Sequence, residues 1–452
     1  MTTSLTKQAS SAEKKAHAKV YIETFGCQMN KADSENMFGM LEEIGYEPTD
    51  EQRSADLMIL NTCAIRAGAE DKVFSYLGRW RQIKEQRPGT LIAVGGCVAQ
   101  DAGGDMIRRA PGVDIVFGTH NLFRLPELVL QARATGKPVV EIYQELPEEL
   151  PELPIIRQSD TSAWVNVIYG CDYNCTYCIV PYVRGREKSR PVDQIVKEVQ
   201  ELSAAGYLEL TFLGQNVTAY GHDLAPATHL GELLRKAGEI EGIKRLRFFT
   251  GHPRDLKDEI IDAVAEVPSA CEFLHVPIQS GDNRTLRRMA RGYQVDFYRR
   301  MVDRIRNRMP EATITSDMIV GFPGETEQEF MNTVNLVEEI QFDACNTAAY
   351  SPRPHTPAAN WPDQVPEQEK NERLRFLNSV VSEVSHRRNK RLIGQTLEVL
   401  VEGRSNRNAE RLTGRTEGNK IVNFEGADEH INKIVEVKIE SANPWALRGT
   451  LA

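Results

Sequence analysis

The chain has 452 residues, of which 41% are hydrophobic and 26% charged, so it is a globular protein long enough for about two to four domains. Its formal net charge of −9 excludes a surface that is basic throughout, as in a protein that coats nucleic acid, but does not exclude a local basic face. No apolar run approaches the roughly 20 residues of a membrane helix, so we expect no membrane partner.

Residues 1–18 are polar and lack the apolar segment of a secretory signal, which predicts a disordered leader and a cytoplasmic protein. The eight cysteines agree with this compartment, because thiols in a reducing environment serve metals or catalysis more often than disulfides. Cys271 and Cys345 stand alone in or beside predicted core strands, where a free cysteine is ordinarily a small buried apolar residue. The other six cysteines are the first candidates for functional residues.

Residues 19–136 alternate short apolar runs with helical patterns. Strands are predicted at 20–25, 56–62, 90–96 and 113–119. One helix is predicted to end near Gly45 and another to cover residues 72–84. This alternation indicates a parallel sheet with helices on both faces, here a flavodoxin-like α/β domain. Residues 137–156 include YQELPEELPELP, where proline and like charges predict an extended linker.

The alternation resumes over residues 157–389. Strands are predicted at 163–169, 208–214, 244–250, 272–278, 313–320 and 343–350. Helical patterns such as 192–205 and 325–340 separate them. Six such units are too many for an ordinary flat sheet, so we expect a partial TIM-like (β/α)6 barrel with its functional residues at the carboxyl ends of the strands.

The final segment, 390–452, contains short β runs separated by turns with glycine and asparagine, which predicts a small β barrel of the OB type. Positive charge collects before and within it, in HRRNKR (386–391) and at Arg404, Arg407, Arg411 and Arg415. Because the segment is nearly neutral overall, it binds RNA only if these charges share one face. Phe424 and Trp445 could stack on bases or pack in the core.

Three cysteines of the first domain each follow a predicted strand: Cys27 in GCQMN, Cys63 in NTCAIR and Cys97 in GGCVAQ. Ligand sites of open parallel sheets form beyond the carboxyl ends of the strands, so we expect these three thiols to converge. Gly26 and Gly96 beside them would let the backbone approach a bulky ligand closely.

The segment GCDYNCTYC (170–178) places Cys171, Cys175 and Cys178 directly after the first strand of the second domain, at the mouth of the predicted barrel. Cys175 and Cys178 alone could form half of a zinc site, but the domain offers no second pair of ligands. Three thiolates suit an iron–sulfur cluster whose fourth iron stays open for another ligand. An open metal position indicates a catalytic site.

The segment CDYNCTYC resembles the cysteine motif of the radical S-adenosylmethionine (SAM) enzymes, including the aromatic Tyr177 between the last two cysteines. The resemblance implies a [4Fe–4S] cluster on Cys171, Cys175 and Cys178, with SAM bound to the open iron. One electron, from a donor of the flavodoxin or ferredoxin type, would cleave SAM to a 5′-deoxyadenosyl radical.

Further segments narrow the resemblance to the radical SAM methylthiotransferases, from about residue 19 onward. These segments are ETFGCQMN, IVPYVRGREKSRP, LGQNVTAYG, HVPIQSG and DMIVGFPGET. The family combines an N-terminal three-cysteine domain, a radical SAM core and a C-terminal RNA-binding TRAM domain. IVPYVRGREKSRP and LGQNVTAYG look most similar to the MiaB-type tRNA methylthiotransferases.

The resemblance implies a transferase that acts on tRNA. It would methylthiolate C2 of N6-isopentenyladenosine at position 37, next to the anticodon. Cys27, Cys63 and Cys97 would hold an auxiliary [4Fe–4S] cluster that supplies sulfur, and a second SAM would supply the methyl group. The C2–H bond is neither acidic nor electrophilic, so a cofactor radical has to open it. We therefore expect no catalytic residue beyond the cluster ligands, in a monomeric protein.

Four polar residues lie at predicted strand ends of the core: Gln215 and Asn216 at the second strand, Gln279 and Ser280 at the fourth. They could bind the cofactor or the substrate, or could hold their loops by hydrogen bonds. Three arginines follow the cysteine loop: Arg184, Arg186 and Arg190. They could contact phosphate or carboxylate groups, or form a solvated basic loop. GFPGET (321–326) is predicted as a structural turn with Glu325 or Thr326 near a helix start.

Other functions remain open on these residues. The same chemistry would suit threonylcarbamoyl-adenosine in tRNA or an aspartate of a ribosomal protein. A non-enzymatic zinc- and RNA-binding protein would use the six cysteines as structural ligands. The weakness of that alternative is that neither group of three has a fourth ligand.

Overall fold

The computed structural model describes residues 18–64 and 69–452, and the statements below concern these residues. The predicted disordered leader lies outside them, apart from Ala18, which begins the first strand. Within this part of the chain, none of the helices combines the length and the apolar character needed to cross a bilayer.

The N-terminal unit is a six-stranded parallel sheet with helices on both faces, as predicted. Its strands are β1 (Ala18–Thr24), β2 (Tyr46–Pro48), β3 (Leu57–Thr62), β4 (Leu91–Gly96), β5 (Ile115–Phe117) and β6 (Val139–Glu141), in the order β2-β1-β3-β4-β5-β6. Its helices are α1 (Gln28–Glu43), α2 (Ala69–Gln86), α3 (Cys97–Ala102), α4 (Asp105–Arg109) and α5 (Leu125–Thr135). β3 is buried over its whole length, because a central parallel strand is covered on both faces.

The two edge strands of this sheet differ from the prediction. β2 was not predicted, and β6 occupies residues 139–141, which were predicted as linker. Strands of three residues are too short to show a pattern, and their pairing with β1 and β5 forms them. The remainder of the predicted linker, 142–156, contains no helix or strand.

The central unit is an open barrel of six parallel strands in chain order. Its barrel strands are β7 (Ser162–Asn166), β10 (Glu209–Leu213), β11 (Arg245–Phe248), β12 (Phe273–His275), β13 (Thr313–Val320) and β14 (Ala344–Ala349), and a small hairpin pairs β8 (Ile168–Tyr169) with β9 (Lys188–Ser189). An isolated bridge between Leu246 and Ala270 joins the two three-stranded halves. The predicted partial (β/α)6 barrel is therefore confirmed.

A short helix, α6 (Val180–Arg184), packs against α3 of the N-terminal unit. The helices around the barrel are α7 (Val192–Ala204), α8 (Leu230–Gly238), α9 (Asp258–Glu266), α10 (Asn283–Arg288), α11 (Val295–Arg308), α12 (Glu327–Ile340) and α13 (Glu367–Lys390). α8 shows how the sequence produces the packing: Leu230, Leu233, Leu234 and Ala237 recur at helical spacing and form its buried face.

The C-terminal unit is a closed barrel that docks against the amino-terminal ends of the core strands. Its strands are β15 (Thr396–Ser405), β16 (Asn408–Thr416), β17 (Ile421–Glu425), β18 (Ile434–Ala442) and β19 (Ala446–Leu451), in the order β15-β16-β17-β19-β18. Arg245 and Arg247, at the start of β11, donate hydrogen bonds to its backbone carbonyls. The small barrel therefore lies at the end of the core opposite the loops that follow the strands.

Candidate functional site

The cysteine loop 170–178 follows β8 at the carboxyl end of the core barrel. Gly170 has a φ of +72°, and a Cβ at this position would collide with the carbonyl group of Arg186, so the start of the loop requires glycine. The amide of Cys178 donates to the carbonyl of Cys175 at 3.0 Å. This turn gathers Cys171, Cys175 and Cys178 at the barrel mouth, as predicted.

Burial keeps the thiols of Cys171 and Cys178 protonated when no metal is bound. Burial raises the pKa of Cys171 and of Cys178 to about 12, and the negative charge of neighbouring thiolates adds to the effect. A metal that binds them has to displace their protons. All eight cysteines are free of disulfides.

The other trio comes from three strands of the N-terminal sheet. Cys27 precedes α1, Cys63 follows β3 and Cys97 begins α3. A Cβ on Gly26 would lie 2.7 Å from the Sγ of Cys63, and a Cβ on Gly96 would collide with a carbonyl oxygen of β3. Cys97 and Cys27 lie within electrostatic range of each other. The structure thus brings the strand ends that carry these cysteines together, and it requires the two glycines that were predicted to allow close approach.

Buried polar side chains brace the strand ends around this second trio. The Asn30 side-chain amide donates to the carbonyls of Phe25 (2.9 Å) and Thr62 (2.8 Å), and Asn61 donates to the carbonyl of Asn30 (2.7 Å). The hydroxyl of Thr62 accepts the amide of Val98 at 3.1 Å. None of these bracing residues was predicted, although Asn30 lies one helical turn after Cys27 in GCQMN.

Helix α6 and its last residue, Arg184, connect the two trios. α6 begins two residues after Cys178, and the Arg184 Nη2 donates to Asn30 Oδ1 at 2.9 Å and to Asp33 Oδ2 at 2.7 Å. Burial disfavours the charge of Arg184, but Asp33 and the thiols of Cys97 and Cys27 outweigh this and hold its pKa well above the usual value. Arg184 is therefore a buried cation from the core inserted beside the N-terminal trio.

The other two arginines after the cysteine loop also contact carboxylates. Arg190 pairs with Glu198 at 2.8 Å in a largely buried position. Arg186 pairs with Asp172 at 2.8 Å, but its side chain is 88% exposed. Of the two predicted roles, contact with a carboxylate fits all three arginines, and the carboxylates belong to this chain.

Gln215 and Asn216 support the cysteine loop. The Gln215 Oε1 accepts the amide of Gly170 at 2.6 Å. Asn216 is buried and donates to Asp255 at 2.8 Å, and Asp255 accepts the hydroxyl of Tyr173 at 2.9 Å. Both side chains therefore form hydrogen bonds that link the loop to the neighbouring strand ends.

Gln279 and Ser280 lie in different surroundings. Gln279 has a φ of +77°, a strained value for a residue with a side chain. Within the described chain its side-chain amide forms no hydrogen bond, so it is available to a ligand. Ser280 is fully buried, and its hydroxyl lies 3.3 Å from that of Thr333, as expected for a loop hydrogen bond.

Two polar groups near the barrel mouth were not predicted. Arg291 Nη1 lies 3.4 Å from the Sγ of Cys175. His275 lies 2.9 Å from the hydroxyl of Thr315 and 3.3 Å from the carboxylate of Asp317 on the neighbouring strand. His275 begins the segment HVPIQSG, so the family resemblance could have marked it, whereas Arg291 lies outside the segments that carry the resemblance.

The segment GFPGET is a structural turn, as predicted. Thr326 caps α12, and with Glu329 it forms a reciprocal capping box. Glu325 is buried, bonds to the amide of Gly321 and pairs with Arg373 at 3.0 Å. These contacts fix the end of β13 to α13 and reach neither trio.

The C-terminal barrel offers one exposed aromatic side chain. Trp445 is 64% exposed in the turn before β19, whereas Phe424 is 1% exposed and belongs to the barrel core. Arg404 and Arg415 pair with acidic residues of the same barrel. Arg407 is exposed and Arg411 is partly exposed.

Three thiols at each site are the ligand type of an iron–sulfur cluster. In the described part of the chain, no three His, Cys, Asp or Glu side chains are close enough to hold one metal ion. Each cysteine of an iron–sulfur cluster binds a different iron, so its ligands stand further apart than those of zinc. Together with the close approaches at Gly26 and Gly170, the three thiols at each site fit such a cluster.

Three family models match the chain in succession. Residues 19–118 match the uncharacterized protein family UPF0004, residues 165–337 match the radical SAM superfamily, and residues 390–452 match the TRAM domain. Each match coincides with one of the three units described above.

Curated relatives resemble the chain over nearly its whole length. A tRNA-2-methylthio-N(6)-dimethylallyladenosine synthase of Clostridium tetani is 44% identical over 97% of this chain and 97% of its own. The protein of the same name from Bacillus subtilis is 45% identical over 96% of this chain and 86% of its own. A solved radical SAM methyltransferase, TsrM from Kitasatospora setae, aligns with a TM-score of 0.57 at 16% identity over 76% of this chain and 77% of its own. That last similarity concerns the fold alone.

Proposed function

The chain belongs to the family of tRNA-2-methylthio-N(6)-dimethylallyladenosine synthases, and we propose that it methylthiolates C2 of N6-isopentenyladenosine at position 37 of tRNA. It is thus a transferase that uses SAM and an iron–sulfur cluster. We further propose that it works in the cytoplasm, where its tRNA substrate is found.

One observation carries this proposal: two sets of three cysteines, each without a fourth protein ligand among the described residues, lie in adjacent domains and are connected through α6. Cys178 belongs to one trio, and Arg184, at the other end of α6, contacts the residues that surround the second. An enzyme that only generated a radical would need the first trio alone. A second set of thiols next to it supports a reaction in which sulfur is transferred at the same place.

We propose two [4Fe–4S] clusters, one on Cys171, Cys175 and Cys178 and an auxiliary one on Cys27, Cys63 and Cys97. When bound, the first cluster and SAM supply the radical that opens the C2–H bond, and the second supplies the sulfur that SAM methylates. The chain's own contribution is to hold the thiols, to exclude water and to orient the adenine. The buried thiols of Cys63 and Cys97 and the compact loop around Cys175 support these roles.

Supporting residues are assigned by their contacts. We propose that Gln279 contacts SAM or the adenosine, because its amide has no partner within the described residues. Gln215, Asn216 and Ser280 would act indirectly, by holding the loops that carry the site. Trp445 is proposed to stack on a base of the tRNA, since it is exposed on the TRAM barrel.

The domain division follows the same assignment. We propose a leader at 1–18, an auxiliary-cluster domain from 19 that includes β6 to residue 141, a connecting segment to 156, a radical SAM core at 157–389 and a TRAM domain at 390–452. The electron donor is proposed to be a flavodoxin or ferredoxin, and the protein to act as a monomer.

Mass spectrometry of tRNA nucleosides from cells with and without the gene tests the proposal. We expect 2-methylthio-N6-isopentenyladenosine to disappear on deletion and N6-isopentenyladenosine to accumulate. Persistence of the methylthio nucleoside would contradict the substrate assignment. Loss of methylthio-threonylcarbamoyl-adenosine, or of a methylthio-aspartate in a ribosomal protein, would identify one of the alternative substrates.

The anaerobically reconstituted protein tests the class of the molecule. We expect absorbance near about 400 nm that dithionite bleaches, as iron–sulfur clusters give. A colourless protein that retains zinc would instead indicate the non-enzymatic alternative.

A further inference from the structure

Arg291 differs from the other buried arginines of the described residues in its lack of a carboxylate partner. The buried arginines are Arg184, Arg245, Arg247, Arg291 and Arg373. The other four each lie within ion-pair distance of a carboxylate. A buried guanidinium without an anion is costly, because burial removes the water that stabilises its charge. The carboxylate of Asp317 lies within electrostatic range of Arg291, but in the described chain no carboxylate lies within ion-pair distance of it. The position of Arg291 therefore calls for an anion in direct contact.

The contacts of Arg291 identify where that anion belongs. Arg291 is 5% exposed. Its Nη2 donates to the carbonyl of Pro277 at 2.8 Å, its Nε to the hydroxyl of Tyr293 at 3.1 Å, and its Nη1 to the Sγ of Cys175 at 3.4 Å. The first two acceptors are neutral and fix the orientation of the guanidinium. Cys175 is the acceptor that becomes anionic when it binds a metal.

We propose that Arg291 is a positioning residue for the iron–sulfur cluster on Cys171, Cys175 and Cys178, and that its charge and its N–H···S hydrogen bond raise the reduction potential of that cluster. The inference rests on the proposed function, since it requires a cluster at this trio. Hydrogen bonds to the sulfurs and the net charge around a cluster set its potential.

The electron balance shows why this charge matters. Reduction adds one electron, which comes from a donor of the flavodoxin or ferredoxin class and leaves that donor oxidised by one electron. The added negative charge falls next to a guanidinium that has no carboxylate within ion-pair distance in the described chain, and a buried pair of opposite charges attracts strongly. Arg291 therefore makes the transfer of the electron to this site more favourable.

The test compares variants of the full chain that carry Cys27→Ala, Cys63→Ala and Cys97→Ala, so that one cluster assembles. Arg291→Gln, Arg291→Lys or Tyr293→Phe is added, and the potential is measured by redox titration with EPR detection. We expect Arg291→Gln to lower the ratio of reduced to oxidised cluster about tenfold at a fixed potential, which is about 59 mV for one electron. Arg291→Lys keeps the charge but not the planar set of donors, so its shift has the same sign and is smaller.

Tyr293→Phe is the matched control. It removes one neutral partner of the guanidinium and leaves both the charge and the contact with Cys175, so we expect the potential of the parent chain. An unchanged potential in Arg291→Gln at parental iron content would overturn the proposal. If Arg291→Gln does not retain iron, the test uses Arg291→Lys instead. A change in reduction potential in Arg291→Lys that is no larger than the change in Tyr293→Phe would also overturn the proposal. A parent chain without an iron–sulfur cluster would instead contradict the proposed function, so the two failures are distinguishable.

Discussion

The two cysteine trios collect three thiols by opposite routes. Cys171, Cys175 and Cys178 lie in one loop, and their separation along the chain is short enough to bring them together in a single turn. Cys27, Cys63 and Cys97 approach one another only because β1, β3 and β4 are neighbours in one sheet and end at the same edge.

The two trios therefore differ in how strongly their assembly depends on the fold of the surrounding domain. The loop trio (Cys171, Cys175 and Cys178) is gathered by one turn and one glycine. Its longer-range hydrogen bonds, to Gln215 and Asp255, come from the core barrel, so it depends little on the N-terminal sheet. The sheet trio (Cys27, Cys63 and Cys97) comes together only when the two long chain segments between its cysteines have closed into loops. Closing these loops has an entropic cost. The sheet trio should therefore respond more strongly to changes in the fold, and the following variants test that expectation.

The largest effect is expected when one ligand of each trio is removed. Cys175→Ala should reduce cleavage of SAM to 5′-deoxyadenosine below detection, because the open-iron site is lost. Cys63→Ala should leave that cleavage at least partly intact and abolish methylthio transfer. Quantification of 5′-deoxyadenosine and of the tRNA nucleosides measures both. Equal loss of SAM cleavage in the two variants would contradict the assignment of separate roles.

Arg184 tests the connection between the trios. Arg184→Met would leave Asp33 buried without its cation, which costs about 3–5 kcal/mol of stability. We expect iron to be lost from the sheet trio first, measured as iron per chain together with thermal unfolding.

The exposed neighbour Arg186 supplies the control for this prediction. Its pair with Asp172 is open to solvent, so Arg186→Met should change neither quantity appreciably. The double variant Arg184→Met, Asp33→Leu should recover part of the stability, because no charge is then left unpaired. Equal loss of iron from both trios would contradict the expectation that the sheet trio is more sensitive to changes in the fold than the loop trio.

Gly26→Ala isolates the close approach within the sheet trio. Gly26 has a φ of +111°, and an added Cβ would lie 2.5 Å from the Cβ of Cys63. We expect a loss of stability of about 1–3 kcal/mol from backbone strain, with lower iron content because Cys63 is displaced. Gly45→Ala is matched, since Gly45 also has a positive φ, of +88°, but open space around it. It should be strained without losing iron, and iron loss in both variants would exclude the clash as the cause.

The smallest effect is expected from a cysteine outside both trios. Cys345 is buried in the barrel core, so Cys345→Ala should cost about 1 kcal/mol and leave the iron content unchanged. Iron loss comparable to that of Cys63→Ala would mean that the six cysteines are wrongly chosen. Iron analysis after identical reconstitution provides the comparison.

Much of the fold could be predicted because its strands are long enough to show a pattern. The apolar run of β3, the alternation of strands and helices, and the capping residue Thr326 all have a local cause that a sequence displays. β2 and β6 could not be predicted, because three residues carry no periodicity and pair only where a neighbouring strand presents an edge.

The candidate site divides in the same way. The loop trio could be predicted, because cysteines that are close together in the sequence of a single turn are also close together in space. The sheet trio was predicted from the rule that parallel strands end at one edge, without any knowledge of which residues surround it. Asn30 and Asp33, which receive Arg184 from the other domain, could not be predicted because that contact joins positions more than about 150 residues apart.

The amino-acid sequence alone therefore predicts the three units from local patterns. It predicts the six candidate ligands from their positions after strands and within one loop, and the reaction class from the resemblance of its segments to a known family. Only the tertiary structure decides which charges are compensated. The sequence does not distinguish Arg184 from Arg291, yet in the folded chain Arg184 is buried against Asp33 and Arg291 against the thiol of Cys175. Burial in low dielectric makes that choice of partner consequential, and burial is a property of the folded chain.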